Sequence, residues 1–542
     1  MFAKKRTLTI VVAMALAASM LLSSCTKVDN AAKSKYPGTS EKGTAVINLG
    51  AEPPKMFSVI STDTASGVVL LHLMDGLTVL DKEDKPQPGV AKKWKVSDDG
   101  KVYTFELRDD YKWTNGEKVT ANDFKFAFLS LLDPKFASEY AYFGYVFKNG
   151  EKFSKGEAKA EDVGVKVIDD YKLELTLENP TPYLPGMLAY KVFLPVNKKA
   201  YDTYGEKYAT DAKNIVTNGA YKLEKWEHEN EIVITKNADY PDAKKVKIDK
   251  IVMKMIKDSN AAMNSFKGNE IDMIGLNGDQ LAMLNKEGQP TYSYDDNSNW
   301  YFEFNMKRPV LANAKVRQAL TTAIDSESFV KNVLKNSSKP ARQFTPPAIA
   351  GYKKSFYEEI GPQFKSNDIE GAKKLIEEAK KELGMDKISF TLIVDDTDTA
   401  SKHAAFFQET WKKLGVDVKI QAVPFKSRLE KMTQKDFDVT MAGWGPDYND
   451  PMTFLDLFET GNGNNHTSYT NKAYDELLAK VRKETDKKAR FGYLAELEKI
   501  LMKDMPIGPY YFRARDYTVS GKLSGVVRTG FQDINLKWAE VK

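Results

Sequence analysis

The sequence predicts an α/β protein with more than one lobe, and two kinds of periodicity support this class. Apolar and polar residues alternate in several short segments, as at Tyr103, Phe105 and Leu107, which is the two-residue period of a half-buried strand. In other segments apolar residues recur at three- and four-residue spacing, which is the period of a helix with one buried face. The chain has 542 residues, a length that accommodates about three domains.

The strongest of these patterns follow one another along the chain. Further strands are predicted at 173–177 and 388–392, and helices at 316–324 and 474–481. From Ile388 to Met441 the pattern alternates strand, helix, strand, helix and strand. That order predicts helices packed on a mixed or parallel sheet.

Charged side chains are numerous but nearly balanced in sign. The chain has 80 Lys and Arg residues against 75 Asp and Glu residues. Three of the basic residues, Lys4, Lys5 and Arg6, lie in a leader that we expect to be removed. A mature chain this close to neutral gives no electrostatic reason to expect a nucleic-acid partner.

Residues 1–24 have the features of a secretion signal. The basic start precedes an apolar run from Leu8 to Leu22, which is too short to span a bilayer comfortably. The run ends at Ser23-Ser24-Cys25, and Cys25 is the only cysteine of the chain. This segment resembles a bacterial lipobox, in which the cysteine receives a diacylglycerol. Two acyl chains anchor a protein stably, so we expect an extracytoplasmic protein, lipid-anchored at Cys25 to the membrane of the cell envelope.

A polar segment follows Cys25. Residues 26–44 are rich in Lys, Ser, Gly and Ala and show no apolar periodicity. This composition is typical of a disordered linker. We therefore expect residues 25–45 to form a lipidated tether in front of the folded part.

Sequence signatures of catalysis and of cofactor binding are absent. The four histidines are far apart and form no metal-ligand spacing, and one cysteine cannot form a zinc-type pair. The chain has no phosphate-binding Gly-x-x-x-x-Gly-Lys-Ser/Thr loop and no Gly-x-Ser-x-Gly elbow. The sequence therefore predicts no enzymatic activity, no metal and no cofactor.

Short motifs follow one another in the order found in one protein family. They include Pro88-Gly89-Val90-Ala91, Trp113-Thr114-Asn115-Gly116-Glu117, Asn218-Gly219-Ala220-Tyr221, Val316-Arg317-Gln318-Ala319-Leu320 and Gly443-Trp444-Gly445-Pro446-Asp447. From about Val46 to the carboxyl terminus, this series resembles the extracellular solute-binding proteins of the peptide/nickel ABC-importer family. Within that family it looks most like the oligopeptide-binding lipoproteins.

The resemblance implies a two-lobed fold of the periplasmic-binding-protein type, with a hinge and an extra inserted domain. Lobe I would comprise residues 46–74, 193–297 and 513–542, and lobe II residues 298–512. The inserted domain would comprise residues 75–192. A ligand would be enclosed between the two lobes, which close by hinge motion.

The resemblance also implies a role for Asp447. Peptides of every sequence share main-chain N–H and C=O groups and an α-ammonium, so a broad binder pairs with these groups. An enclosed ammonium needs an anionic partner, because an unpaired buried ion is costly. In the family the acidic residue of the Trp-x-x-Asp segment is that partner, and here it falls on Asp447. The alternative for Asp447 is a turn cap before Pro451.

Other peptide contacts are carried over in the same way. Gly443, Trp444 and Gly445 would lie along the peptide backbone, and the loop Asp63-Thr64-Ala65 would face it from lobe I. Aromatic contacts are implied for Tyr140, Tyr142 and Tyr511. For Trp444 and the tyrosines, packing in the core is the alternative.

The sequence departs from the family at one place. Some relatives carry arginines before the Trp-x-x-Asp segment that help to hold the peptide's carboxyl terminus. This chain has Met432 and Met441 at the matching positions. We therefore expect a permissive treatment of ligand length.

These expectations together describe an oligopeptide-binding lipoprotein, a monomer that captures extracellular peptides and delivers them to the permease subunits of an ABC importer. Three alternatives remain open. One is a receptor for a signalling peptide of the pheromone type, and another is a binder of dipeptides or of a nickel chelate. The third is a cell-surface peptidase or chaperone, against which the missing nucleophile and metal cluster argue.

Overall fold

The computed structural model of the chain describes residues 34–181 and 183–542. Its strands are β1 (Thr44–Asn48), β2 (Thr78–Leu80), β3 (Pro86–Pro88), β4 (Ala91–Val96), β5 (Val102–Leu107), β6 (Val165–Asp169), β7 (Lys172–Thr176), β8 (Tyr221–Glu227), β9 (Glu231–Lys236), β10 (Lys250–Lys254), β11 (Met273–Leu276), β12 (Tyr292–Phe304), β13 (Lys339–Pro340), β14 (Ile388–Asp395), β15 (Val416–Val423), β16 (Val439–Trp444), β17 (Ile507–Val519), β18 (Leu523–Ser524) and β19 (Glu540–Val541).

In the same part of the chain, α-helices lie between many of these strands. They are α1 (Thr64–Leu73), α2 (Ala121–Leu132), α3 (Gly150–Ser154), α4 (Leu184–Met187), α5 (Lys198–Tyr204), α6 (Ser259–Lys267), α7 (Gly278–Glu287), α8 (Pro309–Ala312), α9 (Ala314–Thr322), α10 (Ser326–Ser328), α11 (Phe356–Ile360), α12 (Ile369–Leu383), α13 (Asp398–Lys412), α14 (Phe425–Thr433), α15 (Met452–Leu455), α16 (Lys472–Lys483) and α17 (Lys487–Asp504).

Two sheets organise the fold. The main sheet has eleven strands, with β13 beside β17 and the others in the order β15-β14-β16-β12-β17-β11-β1-β10-β9-β8. The second sheet has the order β4-β5-β7-β6 and is antiparallel. The α/β class predicted from the periodicities is confirmed.

The predicted alternation between Ile388 and Met441 is also confirmed. The segment forms β14, α13, β15, α14 and β16, and β14 pairs in parallel with both β15 and β16. Phe302, Phe407, Trp411 and Tyr510 are fully buried in the core of this half. The helices expected from apolar spacing form as α9 and α16, although α9 ends at Thr322, two residues before the end of the apolar pattern.

Two long strands join the halves of the main sheet. β12 and β17 run antiparallel from Tyr292–Tyr517 to Glu303–Ile507, and the pairing shifts register between Asp295 and Asn299. On one side of the shift β17 pairs with β11, and on the other β12 pairs with β16. β11 and β16 therefore lie on opposite sides of the register shift.

The unit built on the second sheet has its own aromatic packing. Phe128 of α2 stacks on Phe147 at 5.4 Å between ring centroids and meets Phe193 edge-on at 5.5 Å. Phe143 stacks on Phe193 at 6.1 Å. This packing holds the turn that carries Tyr140 close to the segment of Tyr190 and Lys191.

The expectation of a flexible tether is wrong for residues 34–43, which pack on the folded part. Tyr36 meets Phe266 edge-on at 5.1 Å and donates a 2.9 Å hydrogen bond to Glu287. The Thr39 hydroxyl donates a 2.8 Å bond to Asp272. An aromatic contact and hydrogen bonds to distant residues thus hold a segment whose polar composition shows no periodicity. The predicted signal, Cys25 and residues 26–33 lie outside the described residues.

Within the part of the chain that the structure describes, no helix combines the length and the apolar character needed to cross a membrane.

Candidate functional site

A cavity of about 610 Å³ is lined by many parts of the chain, and three of them carry Asp63, Tyr140 and Asp447. The first wall is the start of α1, and the second carries Tyr140, Tyr190 and Lys191. The third wall is the segment Gly443–Asp447, which comprises the end of β16 and the turn after it, together with α14. The volume is in the range of binding sites for small ligands.

Asp447 lies in the wall of this cavity and is only 8% exposed. Its backbone N–H donates a 2.9 Å bond to the hydroxyl of Thr453, which fixes the turn after β16. Its Oδ1 accepts a 3.1 Å bond from the Tyr140 hydroxyl. Burial raises the pKa of Asp447 to about 6, because no full ion pair offsets the loss of water. The side chain is therefore a poorly compensated buried acid that faces a cavity.

Hydroxyl groups connect Asp447 to a cation that the sequence analysis did not identify. The Tyr140 and Tyr190 hydroxyls lie 2.9 Å apart, and Lys191 Nζ donates a 2.8 Å bond to the Tyr190 hydroxyl. The chain Lys191–Tyr190–Tyr140–Asp447 thus crosses one end of the cavity. No local pattern marks Lys191, which is one lysine among many in the sequence.

Trp444 and Tyr140 form an aromatic wall beside the acid. Their ring centroids are 5.9 Å apart, and Trp444 Nε1 donates a 2.9 Å bond to the backbone carbonyl of Thr453. Both side chains line the cavity. Trp444 therefore packs against its neighbours and also lines the cavity, and its contact with a ligand stays a prediction.

Gly443 and Gly445 also line the cavity, but their surroundings differ. Gly443 pairs with Trp300 across the strands, and a Cβ there would lie 2.8 Å from Trp300 Cε2. A Cβ on Gly445 would meet its nearest neighbour, Ser298 Cβ, at 3.8 Å. Hence Gly443 has to be small because of Trp300, whereas Gly445 has room.

The segment Asp63-Thr64-Ala65 is the start of α1 rather than a loop. Asp63 caps the helix, since its Oδ1 accepts a 2.7 Å bond from the backbone N–H of Ser66. Its Oδ2 is buried and has no hydrogen-bond partner among the described residues. Burial raises the pKa of Asp63. Asp63 and Thr64 line the cavity and Ala65 does not.

Tyr142 and Tyr511 do not line this cavity. Tyr142 stacks behind Tyr140, with ring centroids 5.8 Å apart. Tyr511 is 4% exposed and stacks on Trp300 at 6.0 Å. Both tyrosines support a side chain that lines the cavity, so direct ligand contact by either one stays a prediction.

Met432 and Met441, which stand where some relatives have arginines, differ in their surroundings. Met432 of α14 lines the cavity, and Met441 of β16 is buried in the core. One turn before Met432, Arg428 lines the cavity and binds Asp395 through bonds of 2.6 and 3.3 Å. A cation is therefore present near the methionine, although it already has an anionic partner.

A second charged cluster lies in the cavity wall. Glu139 Oε2 is 3.3 Å from His466 Nε2, and His466 Nδ1 is 3.3 Å from Glu303. Lys55 lies 3.7 Å from Glu139. Burial alone would lower the pKa of His466, but the two glutamates raise it to about 9. Sequence spacing gave no sign of this cluster, because its members are far apart along the chain.

Comparison with known proteins gives consistent matches over most of the chain. The profile of the bacterial extracellular solute-binding proteins, family 5 Middle, matches residues 85–466. The oligopeptide-binding protein OppA of Bacillus subtilis (strain 168) is 35% identical over 515 residues, or 92% of this chain and 93% of that protein. Listeria monocytogenes OppA bound to peptide superposes with a TM-score of 0.89 at 35% identity, over 93% of this chain and 100% of the other. The pheromone receptor PrgZ superposes with a TM-score of 0.88 at 31% identity, over the same shares.

Proposed function

Because the chain belongs to the bacterial extracellular solute-binding proteins of family 5, we propose that it captures oligopeptides in its cavity and delivers them to an ABC importer. The observation that carries this proposal is Asp447, a buried acid in the cavity wall. Of the described residues, no Lys, Arg or His side chain forms an ion pair with it. An α-ammonium placed there would supply the missing charge.

Main-chain pairing would supply the rest of the affinity. Gly445, with open space beside it, and the backbone after β16 can approach an extended peptide, as an added strand would. The aromatic wall of Tyr140 and Trp444 offers apolar faces to side chains of any sequence. Such a site binds the constant parts of a peptide and reads the variable parts weakly.

Native mass spectrometry of the protein without residues 1–25, purified without refolding, tests this function. We expect co-purified peptides of a few residues, released on denaturation. A protein that is empty and also ignores a peptide library in calorimetry would contradict the proposal. We further propose that the protein does not cleave its ligand. Incubating the protein with a peptide for a long time tests this, and recovery of the intact peptide supports it.

A receptor for one signalling peptide is the second candidate. The superposition with the pheromone receptor PrgZ favours it, because the same fold serves that protein. The two candidates differ in breadth of binding. A library in which many unrelated peptides bind with similar affinity supports uptake, whereas one strongly preferred sequence supports signalling.

We also propose the division into lobes I and II with the insert at 75–192, with the hinge in β12 and β17. The register shift between Asp295 and Asn299 supports a hinge at that place, because the two strands are the connection between the halves of the main sheet. Small-angle scattering with and without peptide tests it, since hinge closure reduces the radius of gyration. The same scattering data check our expectation of a monomer.

Lipid anchoring at Cys25 is a separate proposal, which rests on the lipobox-like sequence. Labelling of cells with a radioactive fatty acid tests it. We expect label on the wild-type protein, and for Cys25→Ser loss of label and release from the membrane fraction. Equal labelling of both forms would contradict the anchor.

A further inference from the structure

Lys191 is held at the end of the cavity where Asp447 lies. Its Nζ lies 4.5 Å from the centre of the Tyr190 ring and 5.8 Å from that of Tyr140. The ammonium donates to the Tyr190 hydroxyl at 2.8 Å and to the backbone carbonyl of Thr62 at 3.4 Å. These contacts hold the charge beside the aromatic wall.

This ammonium has more donors than the described residues satisfy. A lysine carries three N–H donors, and the two bonds above use two of them. The other lysines of the cavity wall either have a carboxylate nearby or are exposed. Lys55, Lys245 and Lys537 lie 3.7, 3.1 and 2.6 Å from a carboxylate, and Lys426 is exposed. Lys191 forms no ion pair with any described residue.

Two acids lie near Lys191 without touching it. Burial lowers the pKa of Lys191, while the charges of Asp447 and Asp63 act in the opposite direction. A peptide α-ammonium bound to Asp447 would take up the charge of that acid, and the free donor of Lys191 would then face the first residues of the peptide.

We propose that Lys191 determines selectivity for the side chains at the amino end of the ligand, favouring Asp or Glu in the first two residues and disfavouring Lys or Arg there. The inference rests on the proposed peptide binding and names its preferred ligand class. A carboxylate accepts the free N–H of Lys191 as a charge-assisted bond. A cationic side chain would meet a like charge that is held by Tyr190 and Thr62.

The test compares pentapeptides that differ in one side chain. Alanine pentapeptides with Glu, Gln or Lys at position 1 or 2 are titrated calorimetrically into the wild-type protein near neutral pH. We expect Glu to bind about tenfold more tightly than Gln at one of the two positions, and Lys more weakly than Gln, as is typical of one enclosed charge pair. Equal affinities for Glu and Gln at both positions would overturn the proposal.

Variants then assign the preference to Lys191. Lys191→Met keeps the length of the side chain and removes the charge, so it should bind Glu and Gln peptides equally. Lys244→Met is the matched control, since Lys244 is exposed and does not line the cavity, and it should keep the wild-type order. Glu selectivity that persists in Lys191→Met would overturn the assignment. The titrations of the wild-type protein test the proposal even if a variant does not fold.

The controls separate this inference from the function on which it rests. Pentaalanine, which has no charged side chain, should bind both the wild-type protein and Lys191→Met. If pentaalanine binds while the Glu, Gln and Lys peptides are indistinguishable, only the role of Lys191 falls. If none of the peptides binds the wild-type protein, the proposed function and the inference both fall.

Discussion

The hydroxyl of Tyr140 donates a 3.1 Å hydrogen bond to Oδ1 of Asp447, across 307 positions of sequence. Tyr140 lies between α2 and α3 in the unit built on the second sheet, whereas Asp447 follows β16 of the main sheet. The bond therefore ties two separately built parts of the molecule at the cavity. Its acceptor is also the group that we expect to bind the ligand's ammonium.

Replacing Asp447 by Asn should weaken peptide binding strongly. The substitution keeps the shape of the side chain but leaves an enclosed α-ammonium without an anion, which costs about 2–5 kcal/mol. Calorimetric titration with pentaalanine measures the loss. Asp242→Asn is the control, because Asp242 lines the same cavity yet is only partly buried and lies beside Lys245. A dissociation constant unchanged in Asp447→Asn would remove Asp447 from the site.

Peptide affinity should fall in mild acid. Burial raises the pKa of Asp447 to about 6, whereas Lys191 and the Tyr140, Tyr190 and Thr453 hydroxyls act to lower it. The ionised carboxylate binds the ammonium, so affinity is highest near pH 7, where Asp447 is ionised and the peptide α-ammonium, with a pKa of about 7.7–8.0, is still protonated. It weakens by up to about tenfold per pH unit below pH 6. Titrations between about pH 4.5 and 7 check this. The profile of Asp447→Asn should be flat over the same range, and a wild-type profile without this loss would contradict the assignment.

Gly443→Ala and Gly445→Ala should differ in stability. A Cβ on Gly443 would lie 2.8 Å from the Trp300 ring, and the required shift costs about 1–3 kcal/mol of unfolding free energy. On Gly445 the nearest atom would be 3.8 Å away, so we expect a change within about 0.5 kcal/mol. Urea denaturation of both variants measures the difference. Equal stabilities would show that Trp300 can move without cost.

Glu139→Gln should destabilise the protein through His466. Because Glu139 and Glu303 hold the pKa of His466 at about 9 despite burial, the ion pairs stabilise the fold at neutral pH and lose this effect as pH rises through 9. Removing one anion leaves a less compensated buried imidazolium, at a cost of about 1–3 kcal/mol. The measurements are urea denaturation at pH 7 and the pKa of His466 by NMR, which should fall.

Glu161→Gln is the matched control for this change, because Glu161 belongs to the same part of the chain and is exposed. Glu161→Gln should leave the free energy of unfolding and the pKa of His466 unchanged. An unaltered pKa of His466 in Glu139→Gln would mean that Glu303 alone holds the proton.

Local sequence patterns were sufficient for the elements that they marked. The alternation at Tyr103, Phe105 and Leu107 forms β5, and the helix-strand order after Ile388 forms a parallel layer, because both depend on residues close in sequence. Motif resemblance pointed to Asp447, Trp444 and Tyr140, which line the cavity. It implied the positions of these residues in the chain but not the directions of their side chains. Ala65, Tyr142 and Tyr511 were expected beside them and lie outside the cavity wall, since a motif does not say which way a side chain points.

By itself the sequence determined the α/β class, the absence of catalytic signatures and the acidic residue of the Trp-x-x-Asp segment. Only the tertiary structure decided which charges share the cavity. Lys191 lies near Asp447 and Asp63, and His466 lies between Glu139 and Glu303, through contacts that span more than 100 positions. Local periodicity reports which face of an element is buried. It carries no information on which distant side chains meet there, because that depends on how the two sheets and their connections pack.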